Sequence, residues 1–365
     1  MSLESDGSLL GAQDGAADLF ARAAAADART HVRLEAAIDD FLTPEDGRLD
    51  DRTRATVEIV LARLIATVEA DIRQHAGRLL VSRGEPELAL ALTQRSLPIL
   101  GRLIEAGLVR DPVFFRELIA RVQLDLLAAA LPVTAPEGEE PSLLARLANH
   151  PDRMVASAAV AVMFAEGRRK PGDTTPARTE LPAELHLKLV WWVAAALREI
   201  HVGAPLELLD RVLAEAAQRS LAAQDDGERL EAAAMRLAMA LDAQPAELPD
   251  VLTAALGDRR AVVFVALLAQ ALSIEFTLTR EVVLDPAGDR LWLLLRALDL
   301  PRETIARIGL GLSDADPRRD LEGFADSLDR IVAIDPERAR AGIAPLRLDP
   351  GFRAAVLSLA RRPVR

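Results

Sequence analysis

Residues 260–273 read RAVVFVALLAQALS and are apolar on nearly every side of a helix. A helix that is hydrophobic all round must be wrapped by other helices, because no surface position hides all of its faces. The stretch therefore requires a multi-helix core around it. Its surroundings, 248–312, keep the same grammar. Asp258 is expected to open the apolar helix, while Asp285-Pro286 and Pro301 punctuate two more. Aspartate accepts an orphan N–H at a helix start, and proline is tolerated in a first turn, where its missing N–H had no partner.

Composition points the same way. Half of the 365 residues are hydrophobic, which suffices for a sizeable core, yet only 3% are aromatic and there is no Tyr. The apolar share is mostly Ala and Leu, the strongest helix formers, with few of the β-branched and aromatic residues that favour strands. The expected class is all-α: antiparallel helical hairpins, HEAT-like and α-solenoidal or in an irregular array. With no cysteine, disulfides, zinc–thiolate sites and thiol chemistry are excluded. Lys170 and Lys188 are the only lysines, which reads first as codon bias. A net charge of −12 argues against nucleic acid or an anionic membrane as partner. The opening MSLESDGSLLGAQDG lacks a basic region and an apolar run, and no apolar stretch reaches the roughly 18 residues of a membrane span, so a cytoplasmic protein is expected.

Along the chain, residues 1–13 are expected to be disordered, and 14–131 form an N-terminal helical region. Within it, Val57, Leu61, Leu64, Val68, Ile72 and Leu79 recur every three or four residues. That spacing predicts one helix over 51–82, about 50 Å long. It serves either as an internal spine or as half of a homodimer. PVTAPEGEEP at 132–141 is a linker, 142–167 a helical hairpin, RRKPGDTTPART within 168–180 a second linker, and 181–365 a C-terminal helical region. Five Asp-Pro pairs, at 111, 285, 316, 335 and 349, fall where the periodicity places helix starts.

Three stretches carry a family resemblance: LDDRTRATVEIVLARLIATVEADIRQHAGRLL at 49–80, SIEFTLTREVVLDPAGDRLWLLLRALDLP at 273–301, and ARIGLGLSDADP at 306–317. They resemble an uncharacterised all-helical proteobacterial family of unknown function, DUF2336, related to HEAT-type repeats. LLARLANHPDRMVASAAVAVMF at 143–164 likewise resembles one HEAT-type hairpin. The resemblance implies a helical fold and carries no activity to any residue.

Candidate chemistry is sparse. His31, Glu35 and Asp39 share a helix face at metal-pair spacing, but helix surfaces combine these residues constantly, and no metal site is assigned. Asp314-x-Asp316 begins like a calcium loop and then fails, with Arg318, Arg319 and Ala325 at the later positions. No nucleophile triad, phosphate loop or catalytic pair stands out, so neither a catalytic residue nor a cofactor is expected. Trp191-Trp192 point about 100° apart on a helix, which lets one leave the core. Trp292 flanks the stripe of Leu291, Leu294, Leu295 and Leu298, ahead of Gly309 and Gly311, which mark either close packing or a ligand against bare backbone. The expected partner surface comprises Trp292, Arg302, Gly309 and Gly311. The expected function is a non-enzymatic scaffold or regulatory adaptor for a protein partner; the alternative is a carrier or sensor of an apolar small molecule held between helices. Brief trypsin digestion should cut first at Arg168, Arg169, Lys170 or Arg178, where Pro, Gly and Thr oppose regular structure. Early cleavage inside 261–274 would contradict this placement of the core.

Overall fold

The computed structural model describes residues 49–94, 99–132, 141–169, 179–200 and 205–360. Among them lie seventeen α-helices and three 3-10 turns and no strand, so the chain is all-α. Contacts divide it after Arg54, within the first turn of a helix that begins at Asp51; apart from that turn and its cap, every feature below lies in the unit from Ala55 onward.

That helix, α1, spans Asp51–Ser82. Asp50 starts it by accepting the Thr53 N–H at 2.8 Å and the Thr53 hydroxyl at 2.6 Å. The whole stripe from Val57 to Leu79 is buried, packed within the chain as a spine. Against it lie α2 (Pro86–Gln94), α3 (Ile99–Glu105) and the first half of α4 (Pro112–Ala130), through Phe114, Leu118 and Val122. The second half of α4 turns Leu124 and Leu127 into a separate core. This second core takes in α5 (Leu143–Ala148) and α6 (Arg153–Arg169). The chain then returns: α7 (Ala183–Ile200) and α8 (Leu206–Ala222) bury their apolar faces in the first core, not with the helices that follow them.

From Leu230 the chain stays in the second core. Here are α9 (Leu230–Leu241), α10 (Leu248–Gly257), α11 (Ala261–Leu272), α12 (Phe276–Leu284), α13 (Asp289–Ala297), α14 (Arg302–Ala315), α15 (Leu321–Val332) and α16 (Pro336–Ile343). α17 (Pro350–Ala360) ends the described chain. The all-apolar segment is α11, buried at every position from Ala261 to Ala269. No single helix among the described residues is long and apolar enough to cross a membrane; α11 and α12 pass that test only as a pair, bent by 119°.

Three of the five Asp-Pro pairs cap helices directly. Asp111 accepts from Val113 and Phe114 N–H, Asp335 from Arg338, and Asp349 from Gly351 and Phe352. The other two form tight turns, and the helix starts later. Asp285 accepts the Ala287 N–H at 3.2 Å, and α13 begins behind Gly288, whose φ of 74° suits a residue without Cβ. Asp316 accepts from Arg318, and Asp320 caps α15 through the Gly323 N–H. Asp258 also differs from expectation. It ends α10, and its carboxylate takes the Leu143 N–H, capping α5 from 115 residues away.

Arg280 ties the cores together. It is 1% exposed and forks onto Glu117 of α4 at 3.1 and 2.5 Å, with Glu231 of α9 at 2.7 Å. Burial lowers its pKa, but the two carboxylates more than offset this and the pKa is raised. Removing one partner of a buried pair strands the others in low dielectric, at about 3–5 kcal/mol. Arg280→Met should therefore lose about that much in urea unfolding, and Glu117→Leu added to it should recover part. A loss below about 1 kcal/mol would show that the triad is not a structural tie.

Candidate functional site

Two of the four residues expected to form a partner surface, Trp292 and Gly309, meet at one ring. Trp292 stacks on Phe324 with centroids 4.5 Å apart, and its indole covers Gly288. Gly309 is buried against the same Phe324: a Cβ built there would sit 2.1 Å from the ring. Close packing thus explains this glycine. Gly311 has open space where its side chain would be. Arg302 is exposed and pairs with Asp329 of α15 at 2.9 Å. Trp292 is half-buried and Gly309 enclosed, so the two form a packing joint between α13, α14 and α15.

The exposed apolar groups lie elsewhere. Of the adjacent tryptophans, Trp192 makes an edge contact with Phe114 in the first core, while Trp191 is 40% exposed beside exposed Leu187. The larger group is on α6. Its inner face, Val155, Ala159, Val162 and Ala165, is buried against α5 and α9. Its outer face shows Met154 (71% exposed), Val160, Met163 and Phe164 (67%), with Ser157 and Gly167 between and beyond them. Of the nearby carboxylates, Glu166 turns inward to Arg260, and Asp152 caps the first turn by accepting the Met154 N–H at 2.7 Å. No charged side chain interrupts the outer face between Arg153 and Arg168. Contiguous apolar surface of this kind marks interaction sites, whereas single exposed leucines mean little.

Inside the unit, a cavity of about 350 Å³ lies between α1, α7, the end of α6 and the α8–α9 connection. Its wall includes Thr67 and Asp71 of α1, Arg168, Thr179, Glu180, His186, Ser220, Gln224, Asp225, Glu228 and Arg229. Thr179, His186 and Ser220 are buried. The Thr179 hydroxyl and His186 Nδ1 share a hydrogen bond of 2.9 Å, and Gln224 donates through Nε2 to the Leu181 carbonyl at 2.9 Å. Burial lowers the His186 pKa to about 4, so the ring is neutral at pH 7. His186 carries no sequence motif that marks it: its partner Thr179 lies seven residues earlier, at the end of the stretch that reads as a linker. Among the described residues no three metal-ligating side chains converge. The His31, Glu35 and Asp39 row lies outside the described residues.

Residues 125–342 match DUF2336, described as an uncharacterised protein conserved in bacteria, and the chain belongs to that family. The match opens midway along α4, where the helix passes into the second core, and runs through nearly all of α16. No curated protein and no solved structure matches.

The two glycines of α14 should respond oppositely to a methyl group. Gly309→Ala forces the Phe324 ring aside and should cost about 1–3 kcal/mol. Gly311→Ala meets nothing within 4 Å and should gain up to about 1 kcal/mol from helix propensity. Thermal melts of the two variants check the pair; a harmless Gly309→Ala would mean that the joint is loose.

Proposed function

We propose that this DUF2336-family chain is a non-enzymatic cytoplasmic adaptor that holds a helix of a protein partner against the outer face of α6. The carrying observation is the charge-free run of Met154, Val160, Met163 and Phe164 on a helix whose opposite face is fully engaged. Methionines adapt to an incoming surface, and the small Ser157 and Gly167 leave grooves for a partner's ridge. The occupant is an amphipathic helix: an apolar stripe for Val160 and Phe164, with an acidic residue at the end that meets exposed Arg153. In this role α5 and α6 act as a HEAT-like hairpin that displays one face while the second core holds the other. The surface expected around Trp292 gives way to this one, because Trp292 is packed on Phe324.

The test places a photo-crosslinking amino acid at Phe164 in the native host. Crosslinks should map to an amphipathic segment of another protein, and a synthetic peptide of that segment should bind the purified chain. Phe164→Glu should weaken that peptide at least about thirtyfold with unchanged melting. Crosslinks to a second copy of this chain, to lipid or to nothing would overturn the proposal.

A further inference from the structure

The cavity beside His186 concentrates unmet hydrogen-bonding capacity. His186 Nε2, Gln224 Oε1, Arg168 Nε and Arg229 Nη1 are buried without a hydrogen-bond partner, and all four residues line this one space. They come from four segments: α6, α7, the 3-10 connection after α8, and the residue preceding α9. Leaving a buried polar atom unmatched costs about 1–3 kcal/mol, so four around one cavity is a burden that a bound molecule would relieve. His186 is itself more than nine-tenths buried, with its other nitrogen committed to Thr179. A volume of about 350 Å³ falls at the lower end of small-molecule pockets.

The chemistry of the wall restricts the occupant. The arginine atoms can only donate and Gln224 Oε1 can only accept, so the ligand must offer both an acceptor and a donor. Four carboxylates, Asp71, Glu180, Asp225 and Glu228, face two guanidiniums, Arg168 and Arg229. The guanidiniums are engaged already: Arg168 donates to the Glu228 carbonyl at 2.5 Å, and Arg229 pairs with Glu231 at 3.2 Å. The resulting field is acidic and disfavours phosphates and carboxylates.

We propose that this cavity binds a small uncharged molecule through a lactam-type edge, an N–H donor beside a carbonyl acceptor. Gln224 Oε1 takes the ligand N–H, and Arg168 Nε and Arg229 Nη1 approach its carbonyl. His186, neutral, completes the ring of contacts through Nε2. Uridine-type nucleosides and cyclic dipeptides both carry such an edge. The site is independent of the α6 surface, so either proposal can fail alone.

Titrations of the full chain with uridine, with cyclo(Gly-Leu) and with uridine monophosphate test this. Binding is followed by saturation-transfer NMR and by the ¹⁵N shift of the His186 ring. One of the two uncharged probes should saturate in the millimolar range or below and move the His186 signal, and which one does so identifies the source of the edge. Uridine monophosphate should bind at least about tenfold more weakly than uridine. Gln224→Leu, which removes the accepting oxygen, should weaken the bound probe by a similar factor; the His186 shift in the unaltered chain serves should that variant not fold. No saturation by either uncharged probe, saturation without a His186 shift, or tighter binding of the monophosphate would overturn the proposal; a cavity holding only water gives the first result.

Discussion

A fold assembled from short helices has to satisfy many helix ends, and here the carbonyl ends are met by arginines reaching in from other elements. The last four carbonyls of every helix have no intrahelical donor. Arg73 of α1 donates to the Leu92 carbonyl at the end of α2, and Arg319 to Val283 at the end of α12. Arg296 forks onto Ile334 just past α15, at 3.2 and 2.9 Å, and also reaches the Leu300 carbonyl. Arg259 takes Leu131, Arg340 takes Ala297 and Arg347 takes Leu272. The N-terminal ends of α4, α5, α15 and α16 are capped by their own Asp or Ser, whereas the cap residues of α8 to α14 make no side-chain cap bond. A planar guanidinium presents several donors in a fixed geometry, whereas an ammonium is a strongly hydrated point charge. Whatever genome bias supplied the arginines, the fold uses them as cross-links between the end of one helix and the flank of another.

The same preference appears at the centre. The chain visits the first core, the second, the first again and then the second, so α4 and the returns at α7 and α9 are the covalent joints between them. Arg280 adds a non-covalent joint by clamping Glu117, on the first-core half of α4, to Glu231 at the start of α9. A buried triad of this kind adds little net stability over an apolar filling, but it admits only one alignment of the three helices. The two proposed sites lie at the edges of this arrangement: the exposed apolar face of α6, and the polar cavity lined by the end of α6, α7 and the α8–α9 connection.

Local structure was largely legible from the sequence. Helix spacing gave 51–82 as one element, and the all-apolar 261–272 fixed the centre of the second core, because both signals depend only on nearest neighbours along a helix. Asp-Pro succeeded at 111, 335 and 349 and misplaced the start at 285 and 316, since the same dipeptide makes either a cap or a turn. Long-range choices were not legible. Nothing in 183–222 says that α7 and α8 return to the first core, and nothing near Asp258 says that it caps α5. Trp292 and Trp191 look equally exposed on a helical wheel; Phe324, more than thirty residues downstream, covers one of them. The outer face of α6 was visible only as a run of small residues and methionines, because which side of a helix is occupied depends on its neighbours.

The arginine-to-carbonyl cross-links hold the short helices in one arrangement. The most direct measurement is the unfolding free energy of Arg296→Met/Arg319→Met against that of Arg153→Met/Arg307→Met. Both doubles remove two positive charges; the first strips donors from buried helix ends, and the second strips exposed side chains. The first double should lose about 2–6 kcal/mol, at 1–3 kcal/mol for each orphaned buried carbonyl, while the second should change by less than about 1 kcal/mol. Equal losses in the two doubles would contradict this.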